Sequence, residues 1–342
     1  MHRICRSLLG FSLGICLPLA ASADPIADFY KGKTVTLVVS SASGGGYDAL
    51  SRVVARHIQQ HIPGEPTIVV RNMPGAGGIV ATNYLYNSAP KDGTTFGLVQ
   101  NNTPFEPLFG TPEAKYDSAK FNWLGSPSSE VGLLGVWNSV PVNSLADIKT
   151  HEITVGSSGA NSTPSFYARL LNATLGTKLK IVVGYAGQPE AFLAMQRGEI
   201  DGYPSIFYNS LLATEPSWLP EKKIKLIVQF GAAPEPEIAS VPFAPNLVTN
   251  PDDKRMLETA YAPLVLGRPF LMPPGVAADR VAALRKALAD TFADPDFLAE
   301  TDKMQLGVKN PRSGEEIAAE VSHAYATPQP IVDRLRALAQ GQ

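Results

Sequence analysis

The chain has 342 residues, of which 44% are hydrophobic and 18% charged, with 29 Gly, 29 Pro and two Cys. A single hydrophobic core rarely grows to this length, so the composition predicts two domains. The formal charge is −2, whereas nucleic-acid-binding domains usually carry a clear basic excess. The charge balance therefore indicates no nucleic-acid partner and favours a small ligand.

The first 23 residues have the three parts of a secretory signal peptide. Arg3 and Arg6 precede a short apolar stretch over residues 8–20, and residues 21–23 (ASA) form a small-residue cleavage site. The apolar stretch is shorter than the roughly 20 residues of a membrane-spanning helix, so we favour cleavage over an anchor. Lipidation at Cys16 is disfavoured, because a bulky Ile precedes it. We expect export to the periplasm.

Cleavage changes the charge and the available chemistry. Removing residues 1–23 leaves 27 Lys and Arg against 31 Asp and Glu, a formal charge of −4, and removes both cysteines. A mature chain without thiols has no disulfide, no cysteine nucleophile and no thiolate metal site. We also expect neither a metal nor a cofactor. The remaining length of about 319 residues supplies enough core to fold without disulfides.

Strand and helix patterns alternate through the first part of the mature chain. Residues 34–40, 67–71 and 95–100 are predicted strands, and residues 48–61 and 79–88 are predicted helices. Gly-rich turns follow the first two of these strands. Because strand and helix alternate in this way, the pattern predicts parallel βαβ units.

The pattern restarts near Val131. The predicted strands of this second set are residues 132–137, 153–156, 180–183, 200–204 and 225–230, and its predicted helices are residues 164–175 and 189–197. The C-terminal part is helical, with a helix over residues 277–292 after the break at 273–275 (PPG). Two such sets predict two α/β lobes, with a ligand where the carboxyl ends of the two sheets face each other.

Three Gly-rich turns join predicted strands to predicted helices. Residues 40–48 (SSASGGGYD) and 72–78 (NMPGAGG) lie in the first set, and residues 156–164 (GSSGANSTP) lie in the second. The helix that follows such a turn presents free N–H groups and a positive dipole end to an anion. The third turn has more small polar side chains than capping by Ser162 or Thr163 requires, which favours a ligand there.

The first turn has two other interpretations. Residues 44–49 fit the loose dinucleotide-binding pattern G-x-G-x-x-A, and Arg71 follows at a place suited to a 2′-phosphate. Export argues against a freely exchanging nicotinamide cofactor, so we disfavour a dehydrogenase. A tight turn without any ligand is the second alternative.

Two further patterns suggest enzymes. Ser157 or Ser158 is a candidate nucleophile of an exported hydrolase, although the G-x-S-x-G spacing is absent and no histidine has an evident place beside it. His57 and His61 have the i, i+4 spacing of metal ligands. The residues between them lack the Glu of the zinc-protease motif, so we favour a solvated helix face.

The order and spacing of several short segments resemble a known family, the periplasmic receptors of tripartite tricarboxylate transporters, also called the Bordetella uptake gene (Bug) family. The resemblance covers nearly the whole mature chain. Besides the three turns, the segments are residues 28–33 (DFYKGK), 89–94 (APKDGT), 144–148 (SLADI), 185–187 (YAG), 198–201 (GEID) and 273–275 (PPG).

The resemblance implies a non-catalytic receptor with a two-lobed α/β periplasmic-binding-protein fold of the Venus-flytrap, type II-like kind. Each lobe would hold a mixed, mostly parallel sheet, with residues 24–126 and 231–342 in lobe I and residues 127–230 in lobe II. As a monomer it would close on a small organic acid, namely a di- or tricarboxylate, an aromatic acid or an acidic amino acid, and deliver it to two integral membrane subunits. A ligand-sensing partner of a signalling receptor shares this fold, and only the binding partner distinguishes it.

The resemblance also implies that backbone N–H groups and hydroxyls of turns in both lobes hold one carboxylate of the ligand. We expect Asp48 to order the first turn, because its charge would repel an anion. Asp201 is expected to contact a ligand hydroxyl, amino group or water. The turns contain no Arg or Lys, so the far end of the ligand stays unassigned. The predicted ligand-binding residues are Ser43, Gly45, Gly46, Tyr47, Asp48, Gly77, Asn101, Ser158, Gly159, Asn161, Ser162, Thr163 and Asp201.

Overall fold

A computed structural model of the protein describes residues 24–341. The predicted signal peptide, residues 1–23, lies outside the described residues. The strands are β1 (Thr34–Val39), β2 (Thr67–Asn72), β3 (Thr95–Leu98), β4 (Asn122–Ser126), β5 (Gly132–Trp137), β6 (Ile153–Ser157), β7 (Leu179–Val183), β8 (Gly202–Phe207), β9 (Ile224–Phe230), β10 (Phe270–Met272) and β11 (Arg312–Ser313).

Helices connect and cover these strands. They are α1 (Pro25–Tyr30), α2 (Gly46–Ile58), α3 (Ile79–Asn87), α4 (Leu145–Thr150), α5 (Thr163–Leu175), α6 (Gln188–Arg197), α7 (Tyr208–Thr214), α8 (Pro251–Leu266), α9 (Ala278–Ala293), α10 (Pro295–Lys303), α11 (Gly314–Tyr325) and α12 (Gln329–Gln340). Within residues 24–341, no helix is both long enough and apolar enough to cross a bilayer.

The strands form two sheets. Sheet I has the order β11-β4-β10-β3-β1-β2, and sheet II has the order β7-β6-β8-β5-β9. The prediction of a two-lobed α/β fold with mixed sheets is therefore confirmed. Because β2, β1 and β3 are parallel, as are β7, β6 and β8, the Gly-rich turns after β1 and β2 share one sheet edge.

The expectation that parallel pairs predominate is corrected. Four strand pairs are parallel and five are antiparallel. The reversed pairs involve β5 in sheet II and β4, β10 and β11 in sheet I. Strands β4, β5 and β10 adjoin the segments where the chain passes from one sheet to the other, so they do not continue the βαβ windings.

Helices cover both faces of each sheet because each helix has one apolar side. In α2 this side carries Leu50, Val53, Val54 and Ile58, which are fully buried with β1 and α9 on one face of sheet I. Helices α3 and α11 cover the opposite face. On sheet II, α5 packs on one face and α6 on the other.

Helices α8 and α12 follow the last strand of sheet II, yet they contribute buried side chains to its core. Tyr261 of α8 stacks on Phe230 of β9, with ring centroids 4.6 Å apart, and Leu335 of α12 is buried in the same cluster. Leu266, at the end of α8, is buried in the sheet I core. The predicted lobe division, with 127–230 as lobe II, stays a prediction, and α8 packs on both cores.

The segments that join the two sheets are tightly packed against one another. Gly267 has φ +57°, and a Cβ there would lie 1.9 Å from the Ser128 carbonyl oxygen. The Glu130 N–H donates to the Leu264 carbonyl at 2.8 Å, and the Arg268 N–H donates to Ser126 Oγ at 3.0 Å. These contacts bring a segment near residue 130 and a segment near residue 268 to the base of the cleft between the sheets.

Candidate functional site

A cavity of about 600 Å³ lies between the two sheets. Tyr47 and residues 100–102, which follow β1 and β3, line one wall of this cavity. Asn161 and Thr163, which follow β6, line the facing wall. Parallel strands place the turns that follow them at one edge of their sheet. These residues lie at such edges of the two sheets, and both edges line the same cavity. A separate cavity between α9 and the start of α11 receives no residue from these turns.

The first turn is held by the carboxylate of Asp48. This carboxylate accepts hydrogen bonds from the Gly44 N–H at 2.9 Å, from Arg52 Nε at 3.0 Å and from Asn72 Nδ2 at 2.9 Å. The hydrogen bond from Arg52 is the largest cause that lowers the pKa of Asp48, to about 2. Asp48 therefore orders the turn, as expected, and the residue is buried.

With Asp48 engaged, the start of α2 keeps free donors. Gly45 is the N-cap and provides no side-chain cap, so the first N–H groups of the helix have no intrahelical partner. Ser43, Gly45 and Gly46 are exposed on this turn. A helix start in this state presents N–H groups and a positive dipole end to an anion.

Neutral side chains hold the turn of the second lobe. The hydroxyls of Ser162 and Ser165 donate to the Gly159 carbonyl at 2.8 and 2.7 Å. Ser157 Oγ lies 2.7 Å from each of these two hydroxyls and 3.1 Å from the Gly159 oxygen. Ser157 and Ser165 are fully buried. The carbonyl of Gly159 is therefore fixed, and Ser157 contacts serines and a carbonyl where a hydrolase nucleophile would contact a histidine.

The floor of the cavity carries two charged side chains that sequence reasoning missed, Glu130 and Arg268. Arg268 Nη1 donates to the Leu306 carbonyl at 2.6 Å, and a Cβ built on Gly46 would lie 4.0 Å from Arg268 Nη2. A guanidinium therefore lies beside the start of α2. Positive charge near the first turn therefore comes from a side chain as well as from backbone N–H groups.

Tyr47 joins the first turn to this floor. Its hydroxyl donates to the Gly267 carbonyl at 3.4 Å, and the Arg268 guanidinium lies 5.9 Å from its ring centroid. Burial raises the pKa of Tyr47 to about 12, so the phenol is neutral at physiological pH. Tyr47 narrows the cavity from the side of sheet I, and Phe166 and Phe207 form an aromatic wall on the side of sheet II.

Four of the predicted ligand-binding residues line the cavity, namely Tyr47, Asn101, Asn161 and Thr163. The other predicted residues of the first and third turns lie on those turns without lining it. Gly77, with φ +62°, is exposed on the turn after β2. The ligand contacts of the whole predicted set stay a prediction.

Asp201 lies apart from the cavity. Its carboxylate accepts hydrogen bonds from the Thr154 N–H at 2.7 Å and from the Thr154 hydroxyl at 2.8 Å. Both residues stand near the amino ends of β6 and β8, whereas the third turn follows the carboxyl end of β6. This arrangement ties β8 to β6, and we leave Asp201 out of the proposed ligand contacts.

His57 of α2 and His61, three residues after the end of α2, occupy an interface with α10 and its N-cap, which corrects the expectation of a solvated face. His57 Nε2 lies 2.8 Å from Glu300 Oε2, and His61 Nε2 lies 3.1 Å from Asp294 Oδ2. Their side chains are 15% and 23% exposed. Among residues 24–341, no group of three or more His, Cys, Asp or Glu side chains is placed to hold a metal ion.

Arg268 and Glu130 carry no recognisable sequence pattern. Arg268 stands between α8 and β10, 222 positions after Gly46, so no local motif connects it with the first turn. Glu130 lies in the short crossing segment between β4 and β5. One feature indicates a role for these two residues: each lies near a point where the chain passes from one sheet to the other.

Comparison with known proteins identifies the family of this chain. The family model described as "Tripartite tricarboxylate transporter family receptor" matches residues 50–313. Protein BugT of Bordetella pertussis is 37% identical over 93 residues, which make up 27% of this chain and 28% of that protein. The chain therefore matches less than a third of the length of that relative.

Two solved structures share the fold. A TctC solute-binding protein from Polaromonas, without ligand, superposes with a TM-score of 0.71 at 20% identity, over 89% of this chain and 99% of that chain. MatC from Rhodopseudomonas palustris, with bound malate, gives a TM-score of 0.55 at 22% identity, over 90% of this chain and 99% of that chain. The chain belongs to the tripartite tricarboxylate transporter receptor family, a family of periplasmic solute-binding receptors that includes the Bug proteins.

Proposed function

We propose that this chain is an exported receptor whose two lobes close on a small organic carboxylate and deliver it to two membrane subunits of a tripartite transporter. Family membership supports the receptor role. The malate-bound structure of MatC supports a carboxylate as the ligand class. The proposal includes no catalytic step, in keeping with a receptor family and with the engagement of Ser157 by neighbouring hydroxyls.

One observation carries the proposal, namely that residues following strands of both sheets line one cavity. Tyr47 and Asn101 stand on one side of this cavity, and Asn161 and Thr163 stand on the other. A ligand that hydrogen-bonds to both sides is fully bound only while the lobes stay together, so it shifts the protein toward the closed form. A hydrogen bond to a charged group contributes about 1.5–3 kcal/mol, so two or three can move an equilibrium of a few kcal/mol.

Thermal denaturation of the purified mature chain tests this proposal. We expect at least one member of a panel of di- and tricarboxylates, aromatic acids and acidic amino acids to raise Tm, because a ligand that binds only the native state stabilises it. Asn161→Ala should lower the affinity for that ligand about tenfold, since it removes one hydrogen bond to the ligand. Asn138→Ala is the matched control, because Asn138 is exposed in the same lobe and does not line the cavity.

The proposal is wrong if no carboxylate shifts Tm and mass spectrometry finds no ligand released from gently purified protein. The delivery step needs its own measurement. Cells that carry the two membrane subunits should take up the identified acid only when this receptor is present. Unchanged uptake without the receptor, together with tight binding, would favour the ligand-sensing role.

A further inference from the structure

The two charged groups at the cavity floor are not paired with each other. Glu130 and Arg268 form no ion pair in the described part of the chain, although they lie on neighbouring crossing segments. Glu130 Oε2 is buried and has no hydrogen-bond partner within residues 24–341. A buried carboxylate oxygen without a donor is costly, and native structures rarely keep one without a reason.

A second carboxylate in the same cavity shows the usual arrangement. Glu106 Oε1 accepts a hydrogen bond from Asn102 Nδ2 at 3.0 Å, and Glu106 Oε2 accepts one from Thr111 Oγ1 at 2.5 Å. Both oxygens of Glu106 therefore have protein donors, whereas Oε2 of Glu130 has none within residues 24–341. Because Glu130 lines the cavity, a ligand bound there can supply the donor that Oε2 lacks.

We propose that Glu130 selects a ligand that carries a positively charged nitrogen in addition to its carboxylate, so that the cavity prefers amino carboxylates to the corresponding plain acids. This inference rests on the proposed function and specifies the substrate class of the same site. Glu130 would accept the N–H bonds of the ligand nitrogen. Arg268 and the start of α2 would face the ligand carboxylate.

The positions of the charges support this orientation. Arg268 Nη2 lies beside Gly46, so the positive groups gather at the first turn. Glu130 provides the negative group of the same floor. A ligand with both charges satisfies both groups, whereas a second ligand carboxylate near Glu130 meets a like charge in a poorly solvated place.

The electrostatic surroundings of Glu130 agree with this orientation. Burial raises the pKa of Glu130, while Arg268 and a hydrogen bond from Asn209 act in the opposite direction. A cationic nitrogen next to the carboxylate favours its ionised form. Tyr47, whose phenol also interacts with Glu130, is neutral at physiological pH and supplies no charge.

Calorimetry on the mature protein at pH 7 tests the inference with matched ligand pairs. The pairs are glutamate with glutarate, phenylalanine with 3-phenylpropionate, and the tightest acid of the carboxylate panel with its α-amino counterpart. In at least one pair, we expect the amino member to bind about 10- to 100-fold more tightly, the range that one hydrogen bond between charged groups supplies. This comparison uses unaltered protein and does not depend on the folding of a variant.

Glu130→Gln identifies the residue responsible. The variant keeps the shape of the side chain but loses its charge. The affinity for the amino member should therefore fall about tenfold or more, while the plain acid binds equally or more tightly. Glu113→Gln is the matched control, because it removes one carboxylate from an exposed position away from the cavity. The control should keep the preference of the unaltered protein.

The possible outcomes separate this inference from the proposed function. If plain acids bind as tightly as their amino counterparts, the inference is overturned while the receptor role stands. If the protein prefers the amino members and Glu130→Gln retains this preference, another group binds the nitrogen and the assignment of Glu130 is wrong. If no carboxylate of any kind binds, the proposed function itself fails.

Discussion

The first-lobe turn before α2 and the second-lobe turn before α5 present similar helix starts but are stabilised by different chemistry. In the first turn, the charged Asp48 and Arg52, together with Asn72, fix the loop. In the second, the hydroxyls of Ser157 and Ser165 act with Ser162 on one carbonyl. Neither N-cap residue, Gly45 or Ser162, forms a side-chain cap, so free N–H groups remain at both helix starts, although Pro164 contributes none to α5.

This difference predicts how each turn responds to conditions. An ionic network weakens when its carboxylate is protonated and is partly screened by salt. A network of buried hydroxyls has no group that titrates near neutral pH. Lowering the pH should therefore weaken the first turn and leave the second unchanged, although both turns belong to one proposed binding site.

The largest expected effect comes from blocking the close approach of a ligand to the two turns. A Cβ at Gly159 meets no atom within 4 Å, and one at Gly46 meets only Arg268, at 4.0 Å. Gly46→Val and Gly159→Val should therefore fold normally. Each should lose ligand affinity about 100-fold, or about 2.8 kcal/mol, when measured by calorimetry.

Gly187→Val is the control for these two variants. Gly187 is also an N-cap in lobe II and its backbone is extended, but it belongs to neither of the two turns that are proposed to hold the ligand. It should keep the affinity of the unaltered protein. A loss confined to one of the two blocked turns would mean that the ligand depends on that lobe alone, and unchanged affinity in both would show that the site is elsewhere.

A smaller effect is expected from the neutral network. Ser165→Ala removes a fully buried hydroxyl that donates to Gly159, so unfolding free energy should fall by about 1–2 kcal/mol. Urea denaturation should give the same loss at pH 4 and at pH 8, because no titrating group is involved. Ser322→Ala, at an exposed position of α11, should change stability by no more than about 0.5 kcal/mol. A pH-dependent loss in Ser165→Ala would contradict the neutral assignment.

The smallest expected effect is in the ionic network, and it depends on pH. The pKa of Asp48 is lowered to about 2, below its ordinary value of about 3.9. Its contribution to stability is therefore fully present above about pH 4 and is lost as the pH falls toward 2. Asp48→Asn should cost about 1 kcal/mol at pH 7 by urea denaturation. The difference from the unaltered protein should shrink between pH 4 and pH 2, and a constant difference would refute the ionic role.

The repeating strands and their turns were predictable because their patterns are local. Runs such as TVTLVV in β1 and the amphipathic stretch of α2 match the structure closely, with α2 starting at Gly46 two positions earlier than predicted. Helix α8 was not predicted, because Pro251 and Pro263 resemble helix breakers. The three-residue β10 and the two-residue β11 are too short for any periodic pattern.

The turns of the candidate site were predictable from the sequence, but the charged residues of its floor, Glu130 and Arg268, were not. Tyr47, Asn101, Asn161 and Thr163 follow strands, so strand prediction alone places them at the sheet edges that face the cavity. Asp201 was chosen by resemblance, and the structure pairs it with Thr154.

The sequence by itself determined the family, the alternation of strands and helices, and the Gly-rich turns that expose helix starts, because these properties depend on residues within a few positions of one another. Only the tertiary structure decided the charge of the site. Arg268 reaches the first turn, and Glu130 joins it at the floor, because the chain crosses between the sheets at residues far apart in sequence. The formal charge of −2 therefore gives no sign of the guanidinium that lies where an anion is proposed to bind.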